Sequence, residues 1–330
     1  MLREILTKDV KARGGKGRDL TRRMLYLPAL ASLVAAVVAC VAAVATLLAV
    51  SKEAESTFPS KNGRIAYESN GVIYTINPDG GAKAKVTNTS TAGYSIDYSP
   101  TGKEITYSDY EGNGTTAEIY TINVGGGDKT NVTNNNRDDQ DSSYSPNGKR
   151  IAYAGFDGHD YEIYTIGVHG KNRVQLTNNA TNDYGPVYSP NGKKIAAWAG
   201  AWAGKGQFIY TIGVHGGGKS KVTEGSGPSY SPDGKKIAYT RFLDGRDAEI
   251  YTINVGGGRR TKVTNNATYY DYWPSYSPNG KKIVYIRGRG RDPGIYSIYT
   301  INVGGGGKSK VTGSKGLEDL DSNPAWGSRP

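Results

Sequence analysis

Between residues 58 and 330 one pattern recurs six times. An apolar triplet such as Ile-Ala-Tyr is followed by Ile-Tyr-Thr-Ile, a glycine-rich turn, Val-Thr, and a closing Tyr-Ser-Pro-Asn/Asp-Gly-Lys. The tyrosines of Ile-Tyr-Thr-Ile are Tyr74, Tyr120, Tyr164, Tyr210, Tyr251 and Tyr299, which gives steps of 46, 44, 46, 41 and 48 residues. A 40–50-residue period made of short strands is the spacing of propeller blades. Each copy divides into four short apolar runs, as in Ile151–Tyr153, Ile163–Ile166, Val174–Thr177 and Val187–Ser189. The Ile-Tyr-Thr-Ile runs are apolar on both alternating faces, whereas a sheet with one face in water would carry a polar row. Blades stacked around an axis bury both faces.

The Ser-Pro-Asn/Asp-Gly segments at Pro146, Pro190, Pro232 and Pro278, with the variant at Pro100, read as type I turns with Pro at the second position and Gly at the fourth. The first copy lacks its own Tyr-Ser-Pro strand, and the chain ends in Asn323-Pro324-Ala325-Trp326-Gly327-Ser328, which matches that strand and starts no further copy. The last segment is therefore expected to complete the first blade and to remove an exposed edge. The expected fold class is all-β, a six-bladed propeller over 58–330. The 25 tyrosines and 46 glycines suit strands and tight turns.

Ahead of the repeats, Met24 to Val50 is a run of 27 residues without a charged side chain. About 20 suffice to cross a bilayer as a helix, and a secretory apolar region is shorter. The predicted organisation is a basic cytoplasmic segment (1–23), a transmembrane helix acting as signal anchor (24–50), a linker (51–57) and the propeller (58–330). The eight Lys/Arg among residues 1–23 place the N-terminus in the cytoplasm and the repeats outside. A cleaved signal peptide and a lipid-modified Cys40 are the alternatives to an anchor. Cys40 is the sole cysteine, so no disulfide forms within a monomer.

The segment 228–264, PSYSPDGKKIAYTRFLDGRDAEIYTINVGGGRRTKVT, resembles the repeat of the TolB-type β-propeller family, whose pattern is P-x-W-S-P-D-G-K-x-I-A-F, I-Y, a D-G-G-like turn and L-T. Tyr replaces the usual Trp in five copies, and Gly-Gly-Gly fills most turns. The resemblance extends over about 270 residues. It implies a rigid disc that binds other proteins or extracellular ligands.

Four strands per blade send alternate connections to opposite ends of the disc. An aspartate recurs five residues before the Tyr or Trp of the innermost strand, at Asp139, Asp183, Asp271 and Asp321. These residues are expected near the channel mouth. They are read either as a ring of acceptors for a cation or basic peptide end, or as caps of their own loops. Tyr270 and Trp273, with Trp202, form a candidate aromatic platform, although packing between blades accounts for them equally well. Cations follow the turns at the other end (Lys103, Lys149, Lys193, Lys235 and Lys281, with Lys83, Lys129 and Lys219 among the rest), so a basic annulus is expected there, facing an anionic membrane surface or wall polymer. A solvated face that only keeps the disc soluble is the plainer account. No nucleophile elbow, metal-site or nucleotide motif occurs, and no catalytic residue, metal or cofactor is assigned. Nothing points to nucleic acid. The expectation is an envelope binding module. A glycosidase or lyase acting on envelope carbohydrate, and a structural or sensory ectodomain, are the rivals.

Overall fold

A computed structural model describes residues 61–88, 95–110, 116–201, 206–243, 247–289, 296–313 and 321–328. Contacts divide the chain into Met1–Glu53 and Ala54–Pro330, and the first unit, with the expected membrane helix, lies outside the described residues. Among the described residues no helix is long and apolar enough to cross a membrane.

The described residues form 24 strands, four per sequence copy. In the third copy these are β8 (Asp139–Tyr144), β9 (Arg150–Phe156), β10 (Tyr161–Gly167) and β11 (Val174–Gln175), hydrogen-bonded in the order β11-β10-β9-β8. Both faces of the middle strands are buried, as in Tyr161–Gly167. The fully buried side chains include, from the second strand of every copy except the fourth, Tyr67, Tyr107, Tyr153, Tyr239 and Tyr285. Each is paired across the sheet with the tyrosine of Ile-Tyr-Thr-Ile, for example Tyr153 with Tyr164 at 5.6 Å between ring centroids. Such cross-strand aromatic pairs are the local source of sheet stability. Most outermost strands are two residues long, which limits the unpaired edge each unit presents.

The last strand does complete the first sheet. β24 (Asp321–Ser328) pairs antiparallel with β1 (Asn62–Ser69), with Ile65 opposite Trp326 and Ser69 opposite Asp321. The innermost strands then follow one another in a closed cycle: β24, β4 (Asp97–Tyr98), β8, β12 (Asp183–Tyr188), β16 (Ser226–Tyr230), β20 (Tyr269–Tyr276) and back to β24.

The expectation of six separate blades needs correction. Four sheets are four-stranded and separate, but the fifth and sixth copies are joined into one eight-stranded sheet. The joint is the single parallel pair Ala248↔Tyr270 between β18 (Asp247–Asn254) and β20. A related link exists elsewhere without merging the sheets: the Asp139 N–H donates to the Ala117 carbonyl at 2.8 Å. In the fifth and sixth copies the strands on either side reach further, Lys236–Leu243 and Asp247–Asn254 against Tyr269–Tyr276, so the contact becomes part of a ladder.

The Ser-Pro turns behave as the sequence implies. In each, the glycine N–H donates to the serine carbonyl three residues back at 2.8 Å (Gly102, Gly148, Gly192, Gly234, Gly280). Those glycines have φ of 67–70°, a left-handed conformation in which a side chain is disfavoured. Gly148, Gly192, Gly234 and Gly280 also sit against the proline of the preceding turn, with Pro100 Cδ at 3.6 Å from where a Gly148 Cβ would lie.

One repeated feature is absent from the sequence reading. Each innermost strand carries a residue with φ between 47° and 61°: Ser95, Asp141, Gly185, Gly227, Trp273 and Asn323. At five of them the pairing register slips, as between Gln140 and Ser143. These are β-bulges, which re-aim side chains and sharpen the local twist.

Candidate functional site

The six innermost strands enclose a cavity of about 590 Å³. All six of these positive-φ residues line it, and so do the tyrosine or tryptophan and the proline that follow them in most copies. Among the described residues, three carboxylates (Asp97, Asp138 and Asp141) line the cavity together with eleven tyrosine and tryptophan side chains, Tyr110, Tyr161, Tyr184, Trp198 and Trp273 among them, and no lysine or arginine does.

The three aspartates come from the second and third copies and are held by hydrogen bonds that fix their direction. Asp97 accepts the backbone N–H of Tyr144 on the next innermost strand at 2.9 Å, and that of Tyr98 at 2.9 Å. Asp141 accepts the Gly185 N–H at 3.0 Å, which again spans two neighbouring strands. Asp138 accepts the Ala117 N–H at 2.7 Å and the Tyr161 hydroxyl. Desolvation raises both Asp97 and Asp141 to about 6, with their backbone hydrogen bonds working against the rise. At pH above 7 both are ionised in a place that disfavours their charge, and a cation entering the cavity relieves that cost.

Aromatic rings continue from this acidic side. Phe156, Tyr161, Tyr184 and Trp198 form a chain with centroid separations of 5.4, 5.0 and 4.9 Å. Negatively charged groups beside aromatic faces are the two features that attract a protonated amine or guanidinium.

The four repeated aspartates lie elsewhere. Asp139, Asp183 and Asp271 are 0% exposed and Asp321 is 4% exposed, and none of them lines the cavity. Each sits at the start of an innermost strand, inside the blades. Asp139 accepts Asn135 Nδ2 at 2.6 Å while its Oδ1 has no partner. Asp183 accepts Asn179 Nδ2 at 2.8 Å and is 3.4 Å from Lys219 Nζ. Asp271 is gripped by Arg287 at 2.7 Å through both guanidinium contacts, and by Asn266 Nδ2 at 3.1 Å. Asp321 pairs in register with Ser69. The structure thus places these four aspartates inside the blades and outside the cavity lining, where the Asp139, Asp183 and Asp271 carboxylates tie loops and strands together. The same loops explain the repeated Val-Thr, since the threonine hydroxyl accepts the first Ile-Tyr-Thr-Ile N–H in five copies, as Thr177 does from Ile163 at 2.8 Å.

Buried carboxylates also pair across neighbouring units. Asn135, Asn179 and Asn266 each bridge a glutamate and an aspartate (Glu118 with Asp139, Glu162 with Asp183, Glu249 with Asp271). Burial pushes Asp139 up to about 7, the Asn135 bond opposing it, and also raises Glu118 and Glu162. These three glutamate–aspartate pairs are buried inside the blades. Among the described residues no group of three or more His, Cys, Asp or Glu is arranged to hold a metal ion.

Of the aromatic candidates, Trp273 does line the cavity, held at φ 47° with its N–H on Thr240 Oγ1 at 3.2 Å. Tyr270 does not line it, and stacks on Tyr272 at 5.8 Å. Trp202 lies outside the described residues. The basic annulus is also thinner than expected. Lys83, Lys129 and Lys219 fold back over the tyrosines of Ile-Tyr-Thr-Ile, at 4.0–4.3 Å from the ring centroids. Lys129 goes on to a 2.9 Å ion pair with the fully buried Asp109.

The family described as the TolB beta propeller domain matches residues 57–327 of the chain. Among solved structures, TolB from Acinetobacter baumannii is similar over 80% of this chain and 66% of its own, at 22% identity and a TM-score of 0.67. This chain thus spans slightly less than two thirds of that protein. A chain of the nidogen/laminin complex is similar over 80% of this chain and 97% of its own (12% identity, TM-score 0.64). Kuenenia stuttgartiensis hydrazine synthase is similar over 83% of this chain and 48% of its own (14% identity, TM-score 0.64). At these identities the likeness is one of fold. A search of curated proteins found no match.

Proposed function

Since this chain belongs to the TolB β-propeller family, we propose that it is a non-catalytic, protein-binding module of the cell envelope: a six-unit ring, held at the membrane by residues 24–50, whose axial cavity receives an extended, positively charged segment of a partner protein. The observation that carries this reading is the cavity lining, three aspartates and eleven tyrosine and tryptophan side chains with no lysine or arginine among the described residues. Two of the aspartates meet backbone N–H groups of adjacent strands, so the negative charge is placed before any ligand arrives. A preorganised carboxylate needs no rearrangement to meet a cation, and charge of one sign at a mouth raises the rate of encounter.

The full chain in detergent, titrated with extended peptides of equal length and cationic, neutral or acidic side chains, tests this reading. Trp198, Trp273 and Trp326 line the cavity and report binding through their fluorescence. The cationic peptide binds, the acidic one does not, and the Asp97→Asn/Asp141→Asn variant loses at least ~10-fold in affinity, the equivalent of about 1.4 kcal/mol. Equal binding of all three peptides, or an unchanged affinity in the variant, contradicts the proposal.

A further inference from the structure

The two ends of the ring differ in charge as well as in form. One end carries the eleven turns that join innermost to second strands and third to outermost strands, and each of the eleven contains at least one Lys or Arg. They contain three acids, Asp79, Asp128 and Asp233. Lysines that fold back into the blades do not define the surface here. Lys103, Lys149, Lys193, Lys235 and Lys281 do, one at each Ser-Pro turn, and all five are exposed. Their spacing is set by the glycine-on-proline contacts that stack those turns around the cavity. The opposite end carries Asp138, Asp157 and Asp160 in its described loops, with Arg137 as the cation among those described loop residues.

A second, independent observation concerns where the chain enters. Asn62 opens β1 at the turn end, and its Oδ1 accepts the N–H of Asn279, a residue of the sixth unit's Ser-Pro-Asn-Gly turn, at 3.2 Å. Eleven residues, 51–61, separate Val50 from Asn62. They reach at most about 40 Å fully extended. Any anchor upstream of residue 51 joins the ring at its basic end.

From these two observations we infer that the turn end is seated against an anionic lipid surface, with the five Ser-Pro-turn lysines facing the headgroups and the acidic end of the cavity turned away from the bilayer. The inference rests on the anchor of the proposed function. It adds an orientation: the ring presents its ligand-binding end outward because its other end is held by charge. Basic residues gain attraction only within about a Debye length of an anionic leaflet, roughly 8–10 Å, so the seat needs the short tether to bring them there.

The experiment uses the full chain in a Cys40→Ser background, reconstituted in vesicles with a quencher on the lipid headgroups. A fluorophore is attached at Gly217→Cys on the turn end, where an added side chain meets nothing within 4 Å, or at His159→Cys on the loop end, where the side chain is 92% exposed. In vesicles containing anionic lipid the 217 label is quenched at least twofold more than the 159 label. Half-molar salt, or Lys→Gln at the five turn positions, abolishes the difference. Equal quenching at the two sites, or a difference indifferent to both salt and anionic lipid, overturns the seat. Alkaline carbonate extraction reads the anchor separately. If the chain is washed off, the anchor fails, and the labelled chain is mixed with anionic vesicles from outside. Salt-sensitive quenching at 217 alone then still supports the seat, and its absence overturns it.

Discussion

The turn end and the loop end of this ring are made by the same strands and follow different rules. At the turn end the five Ser-Pro turns are copies of one another: the same serine carbonyl, the same glycine at φ near 68° and, in the four that follow another such turn, the same contact with the preceding proline. At the loop end the same position is solved differently each time. Asp271 is neutralised by Arg287, Asp183 lies near Lys219, and Asp139 is left with Asn135 and an unpartnered Oδ1. Repetition builds the ring, and its lapses make the ends unlike each other.

The largest expected effect comes from breaking a loop-end solution. Arg287→Met leaves Asp271 buried without its cation, and loss of one partner of a buried pair costs about 3–5 kcal/mol. Urea unfolding measures it, and the double variant Arg287→Met/Asp271→Leu recovers most of the loss. A single variant that costs under ~1 kcal/mol removes the argument that charge pairing holds this end.

The turn end offers a sharper comparison at lower cost. Gly148→Ala, Gly192→Ala and Gly234→Ala each force a side chain into the left-handed region and each destabilise by about 1–2 kcal/mol. Equal losses are the point of the experiment, and a spread wider than ~1 kcal/mol contradicts the equivalence of the turns.

A smaller effect follows from pH. The folded state raises Asp139 to about 7, above the ~3.9 of an unfolded aspartate. A raised carboxyl contributes stability that is fully present below the unfolded value and is lost as pH climbs through 7. Asp139→Asn should therefore be more stable than the natural chain at pH 8 by on the order of 1 kcal/mol, with the gain fading by pH 4. Thermal melts of the two proteins at pH 4, 6 and 8 decide it. A difference that is constant across pH assigns Asp139 no buried charge.

Much of this fold was legible in the sequence because the repeat states it six times. The Ile-Tyr-Thr-Ile strands, the Ser-Pro turns and the pairing of Trp326 with the first unit all follow from spacing. The union of the fifth and sixth units was not legible, because it depends on one pairing between strands that overrun their neighbours in length. The site was misplaced for a related reason. Asp139, Asp183, Asp271 and Asp321 stand out in the sequence because they repeat, and a group needed once per unit serves the unit. Asp97 and Asp141 occupy positions that hold Ser, Val or Ala, and Ser, Gly, Trp or Asn, in the other copies. The bulge that turns Asp141 toward the axis is a property of backbone dihedrals and leaves no residue signature. Within a repeat, the position where one copy departs in charge is the better guide to a ligand site.

The central claim is that Asp97 and Asp141 give the cavity its preference for positive charge, and its most direct test is the affinity of a cationic peptide as a function of pH. Both carboxylates sit at about 6, so the natural chain should bind at least ~10-fold more weakly at pH 5 than at pH 7.5, while Asp97→Asn/Asp141→Asn binds weakly and without dependence on pH. The same pH profile in both proteins would contradict the account.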